Sequence, residues 1–125
     1  MDWTGIVEKY PKSFDLLVEK AHLPKDCIEI DEDYLSYDFD DYVNIFNERD
    51  LYDFFDGQGM IVSITKDSEE INCWIVDILE KMSEKIEGHH YRQLYDGLYY
   101  VDNRRRVENY LFTRAFEILE TKLNN

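Results

Sequence analysis

The sequence contains little cysteine, proline or glycine, and each shortage argues against a class of protein. Two cysteines cannot form a disulfide framework, so we expect free thiols at Cys27 and Cys73. Two prolines and five glycines argue against a disordered or fibrous chain. No apolar run approaches the roughly 20 residues that span a bilayer, and the start carries no signal-peptide pattern. We therefore expect a cytoplasmic protein that does not enter a membrane.

Basic residues are also scarce, and the shortage is concentrated in one part of the chain. The sequence has 28 acidic and 14 basic residues, which gives a net charge of −14. Residues 26–56 contain twelve acidic residues and one basic residue, Arg49. A field of this sign repels phosphate backbones, so direct nucleic-acid binding is disfavoured. The charge instead favours a basic protein as the partner.

The motifs of common enzymes are missing. There is no G-x-S-x-G nucleophile elbow, cysteine-protease motif, P-loop or dinucleotide-binding glycine pattern. Glu120-Thr121-Lys122 has the E-x-K spacing of some nucleases, but on a helix these two side chains lie about 200° apart. We interpret this match as chance, and we expect no enzymatic activity and no cofactor.

Metal-binding patterns are incomplete. Residues 31–33 and 38–41 are dense in carboxylates, but neither run has the glycine at position six and the glutamate at position twelve of an EF-hand loop. His89-His90 has no cysteine or carboxylate at a recognisable ligand spacing. We therefore predict no metal site.

Hydrophobic spacing predicts a helix and a strand in the stretch RDLYDFFDGQGMIVSIT, residues 49–65. Leu51, Phe54 and Phe55 share one helix face, and Asn47 is a suitable N-cap with Asp50 in the first turn. Glycines at 57 and 59 would end the helix, and residues 60–65 have the β-branched character of a strand.

Elsewhere the pattern changes between periods of two and of three to four residues. Earlier in the chain, Asp2 or Thr4 is a candidate cap for a first helix, and Pro11 suits the start of a second. Alternating apolar residues predict two short strands around the turn at 31–33. A strand at 71–78 would pair with residues 60–65. Leu79, Met82 and Ile86 predict a short helix stopped by Gly88, and Asp96-Gly97 predicts a hairpin turn.

The last predicted element is a long amphipathic helix that starts near Asn103. Its apolar stripe should pack across a sheet. Together these elements predict a single α+β domain over residues 1–125, with an antiparallel sheet and helices packed on one of its faces. The stripe consists of Val107, Tyr110, Leu111, Ala115, Ile118 and Leu119, broadened by Phe112, Phe116 and Leu123.

The acidic segment at 26–56 is the main candidate binding surface. Carboxylates with tyrosines suit protein recognition, because the ring buries area while the hydroxyl stays paired. A solvated face that keeps the protein soluble is the alternative interpretation. The candidate residues are Asp31, Glu32, Asp33, Tyr34, Tyr37, Asp38, Asp40, Asp41, Asp50 and Asp53.

Arg104-Arg105-Arg106 forms the one concentrated basic patch. It falls at a predicted helix N-terminus, where the helix dipole disfavours cations. Docking onto an acidic segment of the same chain or of a second copy would account for this placement. A phosphate or an acidic partner would also account for it, and so would a solvated helix start with flexible side chains.

RDLYDFFDGQG at 49–59 and AFEILETKL at 115–123 resemble segments of short uncharacterised proteins from phages and mobile elements of gut anaerobes. The resemblance implies a small cytosolic protein encoded by a mobile element. It implies no substrate and no catalytic residue.

Our leading hypothesis is a non-enzymatic protein-interaction module, a phage or mobile-element accessory factor, that uses this acidic, tyrosine-rich surface. An anti-defence inhibitor that imitates the charge of DNA is one alternative. A self-associating scaffold is another, with the arginine patch meeting the acidic segment of a second copy. An enzyme would need His89 or His90 to converge with Asp96 or Asp102.

Overall fold

The computed structural model describes residues 1–37, 45–86 and 88–125. For residues 37, 84–86 and 89 it describes the backbone alone. In this part of the chain it contains four α-helices and two antiparallel sheets, so the α+β class is confirmed. Asp38, Asp40 and Asp41 lie outside the described residues. The chain divides into two compact units, residues 1–51 with 116–125 and residues 52–115. One domain over residues 1–125 stays a prediction.

The first unit begins with two helices whose starts follow from local sequence. The predicted cap of α1 (Trp3–Lys9) is confirmed, because the Asp2 carboxylate accepts a hydrogen bond from the Gly5 N–H at 3.0 Å. Pro11 opens α2 (Pro11–Lys20), also as predicted. Trp3 of α1 is buried, and its ring lies edge-on to Phe14 of α2 at 6.3 Å and to Phe116 at 6.0 Å between centroids.

The start of α2 receives its cap from a distant part of the chain. Its N-cap residue, Tyr10, makes no side-chain hydrogen bond there. Instead the buried Glu120 carboxylate accepts from the Ser13 N–H at 2.8 Å and from the Lys12 N–H at 3.3 Å. These N–H groups would otherwise be unpaired at the positive end of the helix dipole. The glutamate of the E-x-K match therefore has a structural role.

The predicted strands around the turn at 31–33 are confirmed as β1 (Ile28–Ile30) and β2 (Leu35–Tyr37). They pair antiparallel, with Ile30 opposite Leu35. The turn is closed by the Asp31 N–H, which donates to the Tyr34 carbonyl at 2.9 Å. A second bond, from the Trp3 N–H to the Glu32 carbonyl at 2.9 Å, ties the turn to the start of α1.

Helix α3 (Glu48–Gly57) has the predicted cap and stop. The Asn47 side chain accepts from the Asp50 N–H at 2.9 Å, and the Asp50 carboxylate accepts from the Asn47 N–H at 3.0 Å. This reciprocal pair satisfies two N–H groups at the helix start. After the helix, Gly59 has a φ of +78°, which favours glycine and turns the chain into the next strand.

The larger sheet contains β3 (Met60–Lys66), β4 (Cys73–Ile86) and β5 (His89–Tyr100), in the order β3-β4-β5. The antiparallel pairing of β3 with β4 is confirmed, although β4 begins at Cys73 rather than Ile71. Side chains alternate between two faces. The inner face is buried and includes Met60, Val62, Val76 and Ile78. The outer face, defined as Ile75, Asp77, Asp96, Leu98 and Tyr100, is exposed except at Asp77, which is half-buried.

Two predictions about this sheet are wrong. Residues 79–86 form no helix but continue β4, because pairing with β5 outweighs their helical spacing. Asp96-Gly97 is not a turn, because both residues lie inside β5, opposite Asp77 and Val76. Gly88 is the glycine of the β4–β5 turn, with a φ of +85°.

Gly97 lies within β5, opposite Val76. A Cβ atom at this position would lie 3.4 Å from the Tyr95 hydroxyl oxygen and 3.6 Å from a Val76 methyl carbon, which are ordinary van der Waals contacts. The hydroxyl oxygens of Tyr95 and Tyr99 are 2.6 Å apart. Sequence alone associates this glycine with a tight turn, whereas the structure places it inside a strand.

The long C-terminal helix is confirmed as α4 (Arg104–Leu123), and Asn103 caps it by accepting from the Arg106 N–H at 3.0 Å. Its first half packs on the inner face, where Tyr110 meets Tyr99 edge-on and the Arg114 guanidinium lies 5.0 Å from the Tyr95 ring centre. The apolar stripe is narrower than predicted, because Tyr110 and Leu123 are exposed. No helix in the described ranges has the length and apolar character needed to cross a membrane.

Candidate functional surfaces

The turn between β1 and β2 presents the first group of predicted binding residues. Asp31, Glu32, Asp33 and Tyr34 are all exposed, and they occupy four consecutive positions of one closed turn. The Asp31 carboxylate also accepts from the Glu32 N–H at 2.7 Å, which holds the turn locally. Tyr37 belongs to β2. The structure therefore places three carboxylates and a tyrosine together on a fixed backbone.

The acidic residues of α3 have different environments. Asp50 and Asp53 are exposed, but the Asp50 carboxylate is engaged in the helix cap. Asp56, two turns into the helix, forms an ion pair with Lys81 at 3.0 Å. Of these three carboxylates, Asp53 is the one that makes no hydrogen bond or ion pair with another residue in the described part of the chain.

Several tyrosines outside the acidic turn have structural roles. The Tyr52 hydroxyl donates to the buried Glu108 carboxylate at 2.9 Å, and Arg104 lies 3.9 Å from the same carboxylate. Burial and then Glu108 raise the pKa of Tyr52 to about 12, against an opposing effect of Arg104. Burial and the hydroxyl of Tyr95 likewise raise the pKa of Tyr99. These phenols stay neutral and serve packing, whereas Tyr34 and Tyr100 are exposed.

The arginine patch makes local ion pairs. Arg104 pairs with Glu108 one turn later in α4, and Arg106 pairs with Asp102 just before the helix at 3.3 Å. These carboxylates offset the unfavourable position of the arginines at the helix N-terminus. Docking of the patch onto the acidic segment of a second copy stays a prediction.

The histidine pair lies at the far end of the β4–β5 hairpin. His90 is exposed and six residues from Asp96 on the same strand, a separation of roughly 20 Å along β5. These two side chains therefore do not converge on one substrate. Across the described residues, no group of three or more histidines, cysteines or acids is placed to hold a metal ion.

The outer face of the larger sheet is a surface that sequence analysis missed. Ile75 of β4 lies directly opposite Leu98 of β5, and both side chains are exposed. The next row on the same face pairs Asp77 with Asp96. The alternation in residues 73–79 is a usable signal, but the sequence predicts a turn at Asp96, which hides the cross-strand partner of Asp77.

No protein-family model, curated protein or solved structure matches this chain. The resemblance of residues 49–59 and 115–123 to proteins of phages and mobile elements therefore stays a prediction.

Proposed function

We propose that this protein is a non-enzymatic interaction module that binds a basic protein through the acidic turn, residues 31–34. The observation that carries the proposal is the exposure of three carboxylates and one tyrosine on four consecutive residues. No basic side chain lies within the turn. A lysine- or arginine-rich partner would supply the missing charge, and Tyr34 would add buried area at the interface.

The turn is suited to binding because its backbone is held in place before a partner arrives. The Asp31–Tyr34 bond closes it, and the bond from Trp3 to the Glu32 carbonyl anchors it to α1. Next to it, Leu35 of β2 is fully buried. A fixed backbone lowers the ordering cost of association. Asp38, Asp40 and Asp41 follow closely in the sequence and belong to the same proposed acidic segment.

An inhibitor that imitates nucleic-acid charge is one form that this function would take. The mobile-element setting implied by the sequence resemblance would suit such a role. The inhibitor role and the mobile-element setting both belong to the proposal. They predict that the partner is a protein whose own function uses a basic surface.

The test is a pull-down from bacterial lysate with three forms of the full chain. These are the wild type, a turn variant carrying Glu32→Lys and Asp33→Lys, and a control carrying Glu69→Lys and Glu70→Lys. The control makes the same charge change at exposed residues of the β3–β4 loop. Circular dichroism checks that all three are folded. A parallel triple variant, Asp38→Lys with Asp40→Lys and Asp41→Lys, tests the neighbouring part of the segment.

We expect the wild type and the control to retain a basic protein at about 50 mM salt, and the turn variant to lose it. Raising the salt to about 300 mM should release this protein from the wild type and the control. The affinity for that protein, once identified, should fall at least about tenfold in the turn variant. Equal retention by the turn variant and the control would contradict the proposal, as would the absence of any basic protein.

A further inference from the structure

The outer face of the β3-β4-β5 sheet carries exposed apolar side chains on neighbouring strands. Ile75 and Leu98 are opposite one another and are 44% and 53% exposed, and Tyr100, two residues beyond Leu98, is 65% exposed. Thr65 of β3 flanks Ile75 in the same row. Ile75, Leu98 and Tyr100 form an apolar strip across β4 and β5, whereas isolated exposed apolar residues are common on any protein.

The row beside this strip contains an unfavourable charge pair. Asp77 and Asp96 occupy directly opposite positions on β4 and β5, and like charges in this arrangement destabilise a sheet. Asp77 accepts a hydrogen bond from the Gln93 side chain at 2.9 Å. In the described part of the chain, neither carboxylate forms an ion pair with a lysine or arginine. A cation from outside the chain would relieve this repulsion.

We propose that this outer face docks a cationic amphipathic helix of a partner protein. An apolar residue of that helix would rest on Ile75 and Leu98, and a lysine or arginine four residues further would lie over Asp77 and Asp96. The spacing of the two rows on the sheet agrees with the spacing of these two helix residues. Two residues along a strand span about 6.6 Å, and four residues along a helix rise about 6 Å. The helix axis would therefore run along the strands.

The charge of the chain selects this occupant over the others. A second copy would bring its own net charge of −14 against two carboxylates, and a nucleic acid would bring phosphates. A helix with lysine or arginine beside its apolar residues is complementary to both parts of the face. The residues of this docking face all belong to the unit at 52–115, whereas the acidic turn belongs to the other unit.

The probe is a fluorescent synthetic peptide of about 14 residues, or four helical turns, built as two repeats of LKKLLKL. One control peptide replaces each leucine with serine, and another replaces each lysine with glutamate. Fluorescence anisotropy with the full chain at about 50 mM salt gives the affinities. The first control removes the apolar contact, and the second reverses the charge.

Three double variants locate the binding site. The first, Ile75→Ser with Leu98→Ser, removes the apolar strip. The second, Asp77→Asn with Asp96→Asn, removes the charge pair. The third, Glu32→Gln with Asp33→Asn, removes two charges from the acidic turn and is the matched control. Thermal melts check that each variant is folded.

We expect the leucine-lysine peptide to bind the wild type and both control peptides to bind weakly. Each outer-face variant should weaken binding about tenfold, the equivalent of roughly 1.4 kcal/mol, whereas the turn variant should change it less than about twofold. Amide chemical shifts of the wild-type protein should change mainly at residues 75–77 and 96–100. This measurement does not depend on any variant folding.

Three results would overturn the inference. They are affinity that is unchanged in both outer-face variants, shift changes located at the acidic turn instead, and no binding at roughly 1 mM peptide. Loss of binding in the turn variant alone would support the proposed function while rejecting this second site. The two ideas can therefore fail independently.

Discussion

The two faces of the larger sheet are made by alternate residues of the same strands, yet they differ in what stabilises them. On β4, Val76 and Ile78 are fully buried, whereas Ile75, the chain neighbour of Val76, is 44% exposed. Both faces contain isoleucine, so hydrophobicity alone does not identify the buried one. The difference shows that position in the register, more than residue type, decides which side chains are available to a partner.

The polar groups on the two faces also differ in whether they find partners within the fold. On the inner side of β5, the hydroxyls of Tyr95 and Tyr99 pair with each other above Gly97. On the outer side, Asp96 faces Asp77 across the strands. Buried polar groups must find partners within the fold, whereas exposed charges can be left for solvent or for a partner. Four predictions test this contrast.

The largest effect should come from exchanging isoleucine for alanine on opposite faces of β4. Ile78→Ala removes fully buried methyl groups and should lower the free energy of unfolding by about 2–5 kcal/mol. Ile75→Ala should change it by about 0.5 kcal/mol or less, because its side chain is half exposed. Urea denaturation of both variants gives the comparison. Similar losses would show that the outer face is covered and not available.

An intermediate effect should come from the adjacent tyrosines of β5, Tyr99 and Tyr100. Tyr99→Phe removes the inner hydroxyl pair with Tyr95 and should cost about 1 kcal/mol at neutral pH. Tyr100→Phe should cost less, because Tyr100 is exposed.

The raised pKa of Tyr99 leads to a prediction about the pH dependence of stability. Burial and Tyr95 raise the pKa of folded Tyr99 above its ordinary value of 10.0, so the folded state holds this proton more tightly than the unfolded state. Its contribution to stability is therefore complete below pH 10 and decreases as the pH rises above that value. Denaturation at a series of alkaline pH values should show a shallower decrease in the free energy of unfolding for Tyr99→Phe than for the wild type.

For Tyr100, nearby Cys73 and then Glu70 raise the pKa. Solvent screening should keep the effect of Tyr100→Phe on this pH dependence small. An identical slope in all three proteins would contradict the assignment.

The smallest effect should be a gain in stability. Asp96→Lys replaces the like-charge pair with a cross-strand ion pair to Asp77 and should stabilise the protein by about 0.2–1 kcal/mol. Glu69→Lys is the control, because it makes the same change in net charge at an exposed loop position. Denaturation at low and high salt separates the local effect from general charge relief. A gain no larger than that of the control would show that the pair carries no special repulsion.

Features that depend on a few consecutive residues could be predicted from sequence. The Asp2 cap, Pro11 at the start of α2 and the Asn47–Asp50 pair all act within four residues of chain, as does the closed turn at 31–34. The acidic turn could therefore be identified as an exposed candidate surface before the structure was known. Local hydrogen bonding and local charge are sufficient for such features.

Features that depend on distant partners could not be predicted from sequence. The spacing of Leu79, Met82 and Ile86 fits a helix, and Asp96-Gly97 fits a hairpin turn, but pairing over fourteen residues of β4 and twelve of β5 outweighs both. The capping of α2 by Glu120 is a contact between residues more than 100 positions apart. No local pattern contains the information for such contacts.

The acidic charge, the α+β class and the starts of α1, α3 and α4 follow from amino-acid identities and their spacing, because charge and local caps act over short stretches of chain. The outer face follows from the pairing of β4 with β5. That register sets Ile75 beside Leu98 and Asp77 beside Asp96, and a shift of one residue would exchange the buried and exposed sets. Long-range pairing is a cooperative property of the folded chain, so the surface it creates becomes visible only in three dimensions.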